Sequence, residues 1–250
     1  MGRVWRRFVS VGRLLLIASA TAALVLVQTT SSYALGLIRD AEVEALLSDY
    51  ATPIFRAANL GAQNIEIHIV NDKSFNAFVI DGQNMFVNIG AITKSETPNQ
   101  LIGVIAHEAG HIAGGHLARL KVQISRMESA ALIMNIIGIG AMVGGAVAGG
   151  GNDAGEAGAA VLYGGNALIQ RSILSYQRVE ESSADQAAVT FLNRTHQSAA
   201  GMLETFKQFA NQSLASVNFI DPYLQSHPMP QNRIAQLRDL APVLDRKSVV

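Results

Sequence analysis

The sequence predicts an α+β fold that is mainly helical, with a small antiparallel sheet beside a buried helix. Three observations predict it: apolar side chains at helical spacing near both ends of the chain, short strand-like segments between residues 65 and 89, and the apolar run LIGVIAHEAGHIAGGHLARL after them. Lys+Arg and Asp+Glu balance at 19 each, so no basic surface indicates a nucleic-acid partner.

Residues 1–34 are predicted to be a cleavable export signal. They combine a basic start, an apolar run from Leu14 to Val27 and a small-x-small cleavage site at Ser32-Tyr33-Ala34. The apolar run is short for a bilayer span, which favours cleavage over a signal anchor. Cysteine is absent, so the sequence offers neither a disulfide framework nor a lipid-attachment thiol. We therefore expect residues 35–250 to form one domain in a bacterial periplasm.

Helix and strand signals alternate after the export signal. Apolar side chains recur at helical spacing over residues 38–50, and Pro53 is expected to open a second short helix that ends near Leu60. Residues 65–70 alternate, which points the isoleucines inward and places His68 on the solvent face.

A β-hairpin is expected next. The turn residues Asp81-Gly82-Gln83-Asn84 separate residues 77–80 from residues 85–89, so they join two antiparallel strands. Peptides bind exposed sheet edges through main-chain hydrogen bonds, and residues 85–89 are the candidate edge. An ordinary covered strand is the alternative.

The helix after the hairpin carries the most informative residues. It is expected to begin after Thr97, with Pro98 in its first turn. His107 and His111 lie four residues apart on one face, so they can bind one zinc ion, with Glu108 beside the water of that ion. Polar side chains in so apolar a helix are costly unless something binds them. The pattern predicts a zinc site, catalytic or structural.

A third protein ligand must come from another segment. The position six residues after His111 is Leu117, which excludes the three-histidine pattern of one class of zinc peptidase, and His116 is one residue short and is expected to point away. Glu181 and Asp185 lie four residues apart, so one can bind zinc while the other supports a ligating histidine. Glu180 is the rival ligand.

The segment between these two halves is rich in glycine and alanine. Residues 130–151 carry no charged side chain, and residues 154–169 carry only Glu156. Glycine permits close helix packing but weakens helices in water. We expect residues 130–170 to form a helical hairpin or lid with peripheral membrane contact; a membrane span and packing against the site helices are the alternatives. Helices are also expected at residues 198–209 and 233–244.

The two motifs together resemble a known family. HEAGH followed by Glu181-Ser182-Ser183-Ala184-Asp185 is similar to the gluzincin metallopeptidases that include the HtpX heat-shock protease, the CAAX prenyl protease and the Oma proteases. Residues 76–78 and 226–234 resemble the periplasmic, BepA-like branch, so the similarity covers about residues 37–237. Relatives there commonly continue into tetratricopeptide repeats, of which no period is visible in this sequence.

The resemblance implies a zincin fold, a Zn²⁺ cofactor with one ion per chain, and protein or peptide substrates. It makes His107, His111 and Glu181 the zinc ligands, Glu108 the general base and Asp185 the partner of a ligating histidine. The expected activity is that of an endopeptidase in quality control of misfolded or misassembled envelope proteins. A scaffold protein that rarely cleaves and an integral-membrane protease are the alternatives.

His227 and Arg233 are further catalytic candidates because both fall in the family-like segment. Either can donate a hydrogen bond to the oxyanion of the reaction, with Tyr176 as a weaker third donor. An imidazole at the metal would instead take the place of water and hold the enzyme inactive, which makes His227 a candidate inhibitor. The plain alternatives are a turn at His227-Pro228 and a structural ion pair at Arg233.

Overall fold

The computed structural model describes residues 36–61, 63–147, 151–215, 227 and 231–240. Gly36–Val250 form one compact unit, and the export signal expected at residues 1–34 lies outside the described residues. The elements in chain order are β1 Leu37–Ile38, α1 Ala41–Ala57, β2 Glu66–Val70, β3 Ala77–Ile80, β4 Asn84–Asn88, α2 Ile89–Lys94, α3 Pro98–Gly114, α4 His116–Val147, α5 Gly151–Arg194, α6 Ala200–Ala215 and α7 Gln231–Leu240. The α+β class, mainly helical with one small sheet, is confirmed.

The sheet has the strand order β1-β2-β4-β3 and is mixed. β1 is antiparallel to β2, and β3 is antiparallel to β4, as the turn residues predict. β2 instead runs parallel to β4, with Ile67 opposite Met85, so the prediction of a wholly antiparallel sheet was wrong. The reason is the path of the chain, which crosses to β3 first and turns back into β4 beside β2.

This strand order also moves the edge of the sheet. β4 has neighbours on both sides, so the prediction that residues 85–89 form the edge was wrong. The edge strand of this hairpin is β3, which contacts α3. The sheet edge that meets the motif helix therefore belongs to residues 77–80.

Helix α1 is continuous through Pro53, and the prediction of two helices was wrong. Asp40 caps its start by accepting hydrogen bonds from the backbone N–H groups of Glu42 and Val43. Leu47, Ala51 and Ile54 are all buried on one face across the proline, and this packing outweighs the hydrogen bond that proline cannot donate.

Helix α3 lies at the centre of the core. It begins after Thr97 with Pro98 in its first turn, as predicted, although the Thr97 side chain makes no capping hydrogen bond. A methyl group on Gly103 would lie 2.9 Å from the Met202 Cα of α6, and one on Gly110 would lie 2.8 Å from the Ala184 carbonyl oxygen of α5. Glycine is therefore required at both positions for α5 and α6 to pack directly on the motif helix.

Helices α4 and α5 pack against each other over their length. A methyl group on Gly165 would lie 3.4 Å from the Met134 Cβ, which shows that small residues of α5 face α4. In the part of the chain that the structure describes, His116–Ala141 is the single stretch long and apolar enough to cross a membrane, and only 6% of its most apolar window is buried.

Candidate metal centre

Two helices place the ligand candidates that the sequence predicts. α3 carries His107 and His111 on the face turned toward α5, and α5 carries Glu181 and Asp185 on the face turned toward α3. The close approach of Gly110 to Ala184 sets the distance between these helices. His107 and Asp185 are buried, as is Glu181, so the predicted residues meet inside the domain.

The donor atoms of the predicted ligands converge on one point. His107 Nε2 lies 3.1 Å from His111 Nε2 and 3.3 Å from Glu181 Oε2. His111 Nε2 lies 3.4 Å from Glu181 Oε1. Donors about 2.0–2.1 Å from a tetrahedral zinc ion stand about 3.3 Å apart. The spacing of these donors therefore fits zinc.

His227 supplies a fourth nitrogen to the same cluster. Its Nδ1 lies 3.3 Å from His107 Nε2 and 3.2 Å from Glu181 Oε1. All four donors lie within 4.8 Å of one another. His227 therefore belongs to the same group of side chains that could hold a metal ion.

The charges of the cluster also fit a cation. Burial lowers the pKa of His107, but the hydrogen bonds to Asp185 and Glu181 outweigh it and raise the pKa to about 9. Burial raises the pKa of Glu181, yet its contacts with His107 and His227 hold that pKa below its usual range. Ionised carboxylates buried in this way need a positive partner, and a divalent metal is one.

Asp185 and Arg233 contact the predicted ligands His107 and Glu181. Asp185 Oδ1 lies 2.9 Å from His107 Nδ1, so this carboxylate faces the ring nitrogen that points away from the cluster. Arg233 donates to both Asp185 oxygens at 2.7 and 2.8 Å, and its Nη1 lies 2.9 Å from Glu181 Oε2. Its guanidinium group also lies over the Phe206 ring. The buried Arg233 therefore takes the ion-pair position that the sequence left as its alternative.

Glu108 lies next to the ligands and lines the cleft. His227 Nε2 is 3.3 Å from Glu108 Oε1. Burial raises the pKa of Glu108, and the positive charges of His227 and His107 offset part of that rise. A carboxylate with a raised pKa is a better proton acceptor, which suits a general base.

A second polar network adjoins the cluster and was not predicted from the sequence. His116 Nδ1 lies 2.9 Å from His111 Nδ1, and His116 Nε2 lies 2.9 Å from Glu180 Oε2. Arg119 donates from Nε and Nη2 to the two Glu180 oxygens. The expectation that His116 points away from the metal face was wrong, because it assumed one continuous helix.

The backbone explains the position of His116. α3 ends at Gly115, which has a left-handed φ of 62°, and His116 opens the next helix. The chain turns there, and the His116 ring folds back over Gly114, where any side chain would collide with it. The Gly114-Gly115 pair is the signal in the sequence that would have predicted this break.

A cleft of about 580 Å³ opens onto these residues. Its wall includes Glu108, His111 and His227 on one side and Phe78 and Val79 of strand β3 on the other. The cleft also contacts Tyr176, the weaker oxyanion candidate. An extended peptide lying along β3 would therefore pass the cluster.

Comparisons with known proteins agree with this geometry. A family model described as Peptidase family M48 matches residues 37–241. The chain is 25% identical over 205 residues to proteins named beta-barrel assembly-enhancing protease from Yersinia pestis and Escherichia coli (strain K12). It is 26% identical over 211 residues to a putative beta-barrel assembly-enhancing protease from Vibrio cholerae serotype O1. Each alignment covers 82% of this chain and 40% of the relative, so the chain spans about two fifths of the length of these relatives.

Proposed function

The chain belongs to peptidase family M48, and from that premise we propose that it is a zinc-dependent endopeptidase of the bacterial cell envelope. The observation that carries the proposal is the convergence of His107, His111 and Glu181 at the distances of a tetrahedral zinc site, with Glu108 beside them. The name of its relatives, beta-barrel assembly-enhancing protease, supports a role in the quality control of envelope β-barrel proteins, and the export signal expected at residues 1–34 supports the periplasm.

The proposed mechanism assigns one task to each side chain. When bound, zinc supplies Lewis acidity toward water and a peptide carbonyl. Glu108 accepts the proton of the attacking water and passes it to the leaving amine. Asp185 Oδ1 lies 2.9 Å from His107 Nδ1, and this contact would hold the ring so that Nε2 faces the donor cluster. Arg233 positions both carboxylates.

We propose that His227 inhibits the enzyme by taking the place of the reacting water at the metal. Its Nδ1 lies 3.3 Å from His107 Nε2 and 3.2 Å from Glu181 Oε1, so it would compete with water for a metal ion held by these residues. His227 is buried, so opening requires its side chain to leave the cluster. Once withdrawn, the same imidazole could donate to the oxyanion, which the sequence analysis left open.

The substrate is proposed to bind along strand β3. Asn88 N–H donates to the Asn76 carbonyl, and pairing in an antiparallel ladder alternates from there. Ala77 and Val79 therefore direct their backbone groups away from β4, toward the free edge. Main-chain pairing of this kind accepts many sequences, as a protease of misfolded proteins requires.

The test is hydrolysis of casein by the wild-type protein, Glu108→Gln and His227→Ala, each with its zinc content measured. Glu108→Gln should lose hydrolysis by at least a hundredfold and keep its zinc, because a general base typically contributes that much. His227→Ala should keep zinc and cleave faster if His227 closes the site, and cleave more slowly if it serves the oxyanion. Undiminished hydrolysis by Glu108→Gln would refute the mechanism.

The edge strand has its own test. Val79→Pro removes a backbone N–H from the free edge of β3 and should lower kcat/KM about fivefold, since each lost hydrogen bond costs about 1 kcal/mol. Circular dichroism would verify that the fold persists. An unchanged kcat/KM in a folded Val79→Pro protein would place the substrate elsewhere.

A second candidate function is the binding of unfolded protein without cleavage. One observation favours it: His227 lies in the same donor group as His107, His111 and Glu181, where it would compete with water for a bound metal ion. If a strain carrying Glu108→Gln retained the phenotype of the wild type, this function would replace the proteolytic one.

A further inference from the structure

The α4–α5 helical hairpin exposes its large apolar side chains and buries small residues between its helices, the reverse of a hairpin that is stable in water. Large aliphatic side chains of α4 point outward and are more than half exposed; this aliphatic stripe consists of Leu132, Ile133, Ile136, Ile137 and Ile139. The buried positions between the helices are held by small residues, among them Gly138 and Gly165. A hairpin that is stable in water buries its large apolar residues against the partner helix.

The stripe covers one continuous face of α4. At 100° per residue, positions 132, 133, 136, 137 and 139 occupy less than half of the helix circumference. Met134 lies outside this arc and faces Gly165 of α5. The surface is therefore unpartnered within the described residues, and it is larger than the scattered apolar side chains of an ordinary surface.

Basic side chains lie next to the aliphatic stripe. Lys121 and Arg126 precede the stripe on α4 at its two edges, with Glu128 on the same edge as Lys121. Arg171 lies on α5 at the level of residue 128, because Met134 meets Gly165 and Arg119 meets Glu180. Basic side chains that flank an apolar face reach anionic lipid headgroups while the face enters the acyl chains.

We propose that the α4–α5 hairpin docks flat on a lipid bilayer that contains anionic headgroups, with the aliphatic stripe in the acyl region. A perpendicular insertion would carry Asp153 and Glu156 into hydrocarbon, which is costly, whereas the stripe itself has no charged residue. The docked surface lies on the helix that follows the metal-binding α3, so the protease would work at the membrane surface.

The test uses residues 36–250, which contain the whole compact unit, and vesicles of phosphatidylethanolamine and phosphatidylglycerol at three to one. The wild type should float with these vesicles, and Ile133→Ser/Ile136→Ser should bind at least tenfold more weakly. The matched control is Leu37→Ser/Leu46→Ser, which also removes two exposed aliphatic side chains but far from the hairpin, and it should bind like the wild type.

The contribution of charge is tested with Lys121→Gln/Arg126→Gln. Its binding should fall about thirtyfold on these vesicles and change little on pure phosphatidylcholine, since each of the two basic residues near an anionic surface contributes about 1 kcal/mol. The proposal is overturned if the wild type does not float, if the isoleucine variant binds as the wild type does, or if sedimentation shows that the stripe joins two copies of the chain instead. Casein hydrolysis in solution by the isoleucine variant should equal that of the wild type, so failure here is distinct from failure of the proteolytic function.

A different observation carries a second inference, which rests on the proposed zinc site. His111 has its Nε2 in the donor cluster, so its Nδ1 must carry the proton and donate to His116 Nδ1 at 2.9 Å. His116 then carries its own proton on Nε2, 2.9 Å from Glu180.

We infer that His116 and Glu180 position His111 for the metal, as Asp185 does for His107. Outer partners of metal-bound histidines typically change metal affinity by ten- to a hundredfold. His116→Ala and Glu180→Gln should therefore release zinc to a competing chelator at a tenfold lower chelator concentration or less. His68→Ala removes a hydrogen-bonded histidine far from the cluster and is the matched control.

A purely structural role would lower the melting temperature of the metal-free protein without changing zinc affinity. The inference predicts the reverse for Glu180→Gln: a nearly unchanged metal-free melting temperature and a weakened zinc affinity. Wild-type zinc affinity in both variants would overturn it, whereas loss of zinc in the wild type itself would overturn the proposed function.

Discussion

The metal centre and the aliphatic stripe depart from the ordinary distribution of side chains in opposite directions. The centre buries charged and polar groups of α3 and α5 in the core, and the stripe exposes the large apolar residues of α4. Arg233 is one positive charge beside the buried carboxyl groups of Glu108, Glu181 and Asp185, and a wide exposed apolar face is unfavourable in water. The comparison teaches that each departure indicates a missing partner, a cation in one region and lipid in the other.

Removal of the metal is expected to give the largest difference between the two regions, because it should abolish hydrolysis and leave membrane binding unchanged. Dialysis against a chelator should lower casein hydrolysis by at least a thousandfold, because both the Lewis acid and the geometry that it organises are lost. Vesicle flotation should be unchanged by the same treatment. Activity should return on addition of zinc, and hydrolysis that persists without metal would break the comparison.

Truncation of one isoleucine in each region should give the next largest difference, which is a difference in the free energy of unfolding. Ile105→Ala, in the fully buried core beside the centre, should lower the free energy of unfolding by about 2–5 kcal/mol. Ile136→Ala, in the stripe, should change it by no more than about 0.5 kcal/mol. Urea denaturation measures both, and a large loss in Ile136→Ala would mean that protein rather than lipid covers the stripe.

Two glycine substitutions compare the close contact of α3 with α5 at the metal centre with an open position on α4. Gly110→Ala places a methyl group against the Ala184 carbonyl and should cost about 1–3 kcal/mol of stability, together with zinc affinity, by forcing α3 and α5 apart. Gly140→Ala meets nothing within 4 Å and should be neutral or stabilising by up to about 1 kcal/mol. Equal effects in thermal melts would show that helix spacing does not define the centre.

The sequence predicted more of the helices and of the chemistry than of the sheet. The start of α3 after Thr97 and the existence of α6 were predicted correctly, because a proline in the first turn and apolar side chains at helical spacing are signals within one helix. The parallel pairing of β2 with β4 could not be predicted, since two short apolar strands pair equally well in either direction until the tertiary path is known.

The centre shows the same limit at the level of single residues. Spacing four apart predicted which side chains of α3 and of α5 share a face, because a helix fixes that relation locally. The contact of His116 with His111 was missed because it depends on the left-handed residue Gly115. The contacts of Arg233 with Asp185 and Glu181 join residues 48 and 52 positions apart, and only the packed fold brings them together.

Metal analysis of the purified protein tests the central claim most directly. After dialysis in a buffer without chelator, the wild type should retain one zinc ion per chain and His111→Ala should retain almost none, because two histidines and one carboxylate are needed to hold the ion. A wild-type protein that retains no zinc under these conditions would contradict the assignment of His107, His111 and Glu181 as a metal centre.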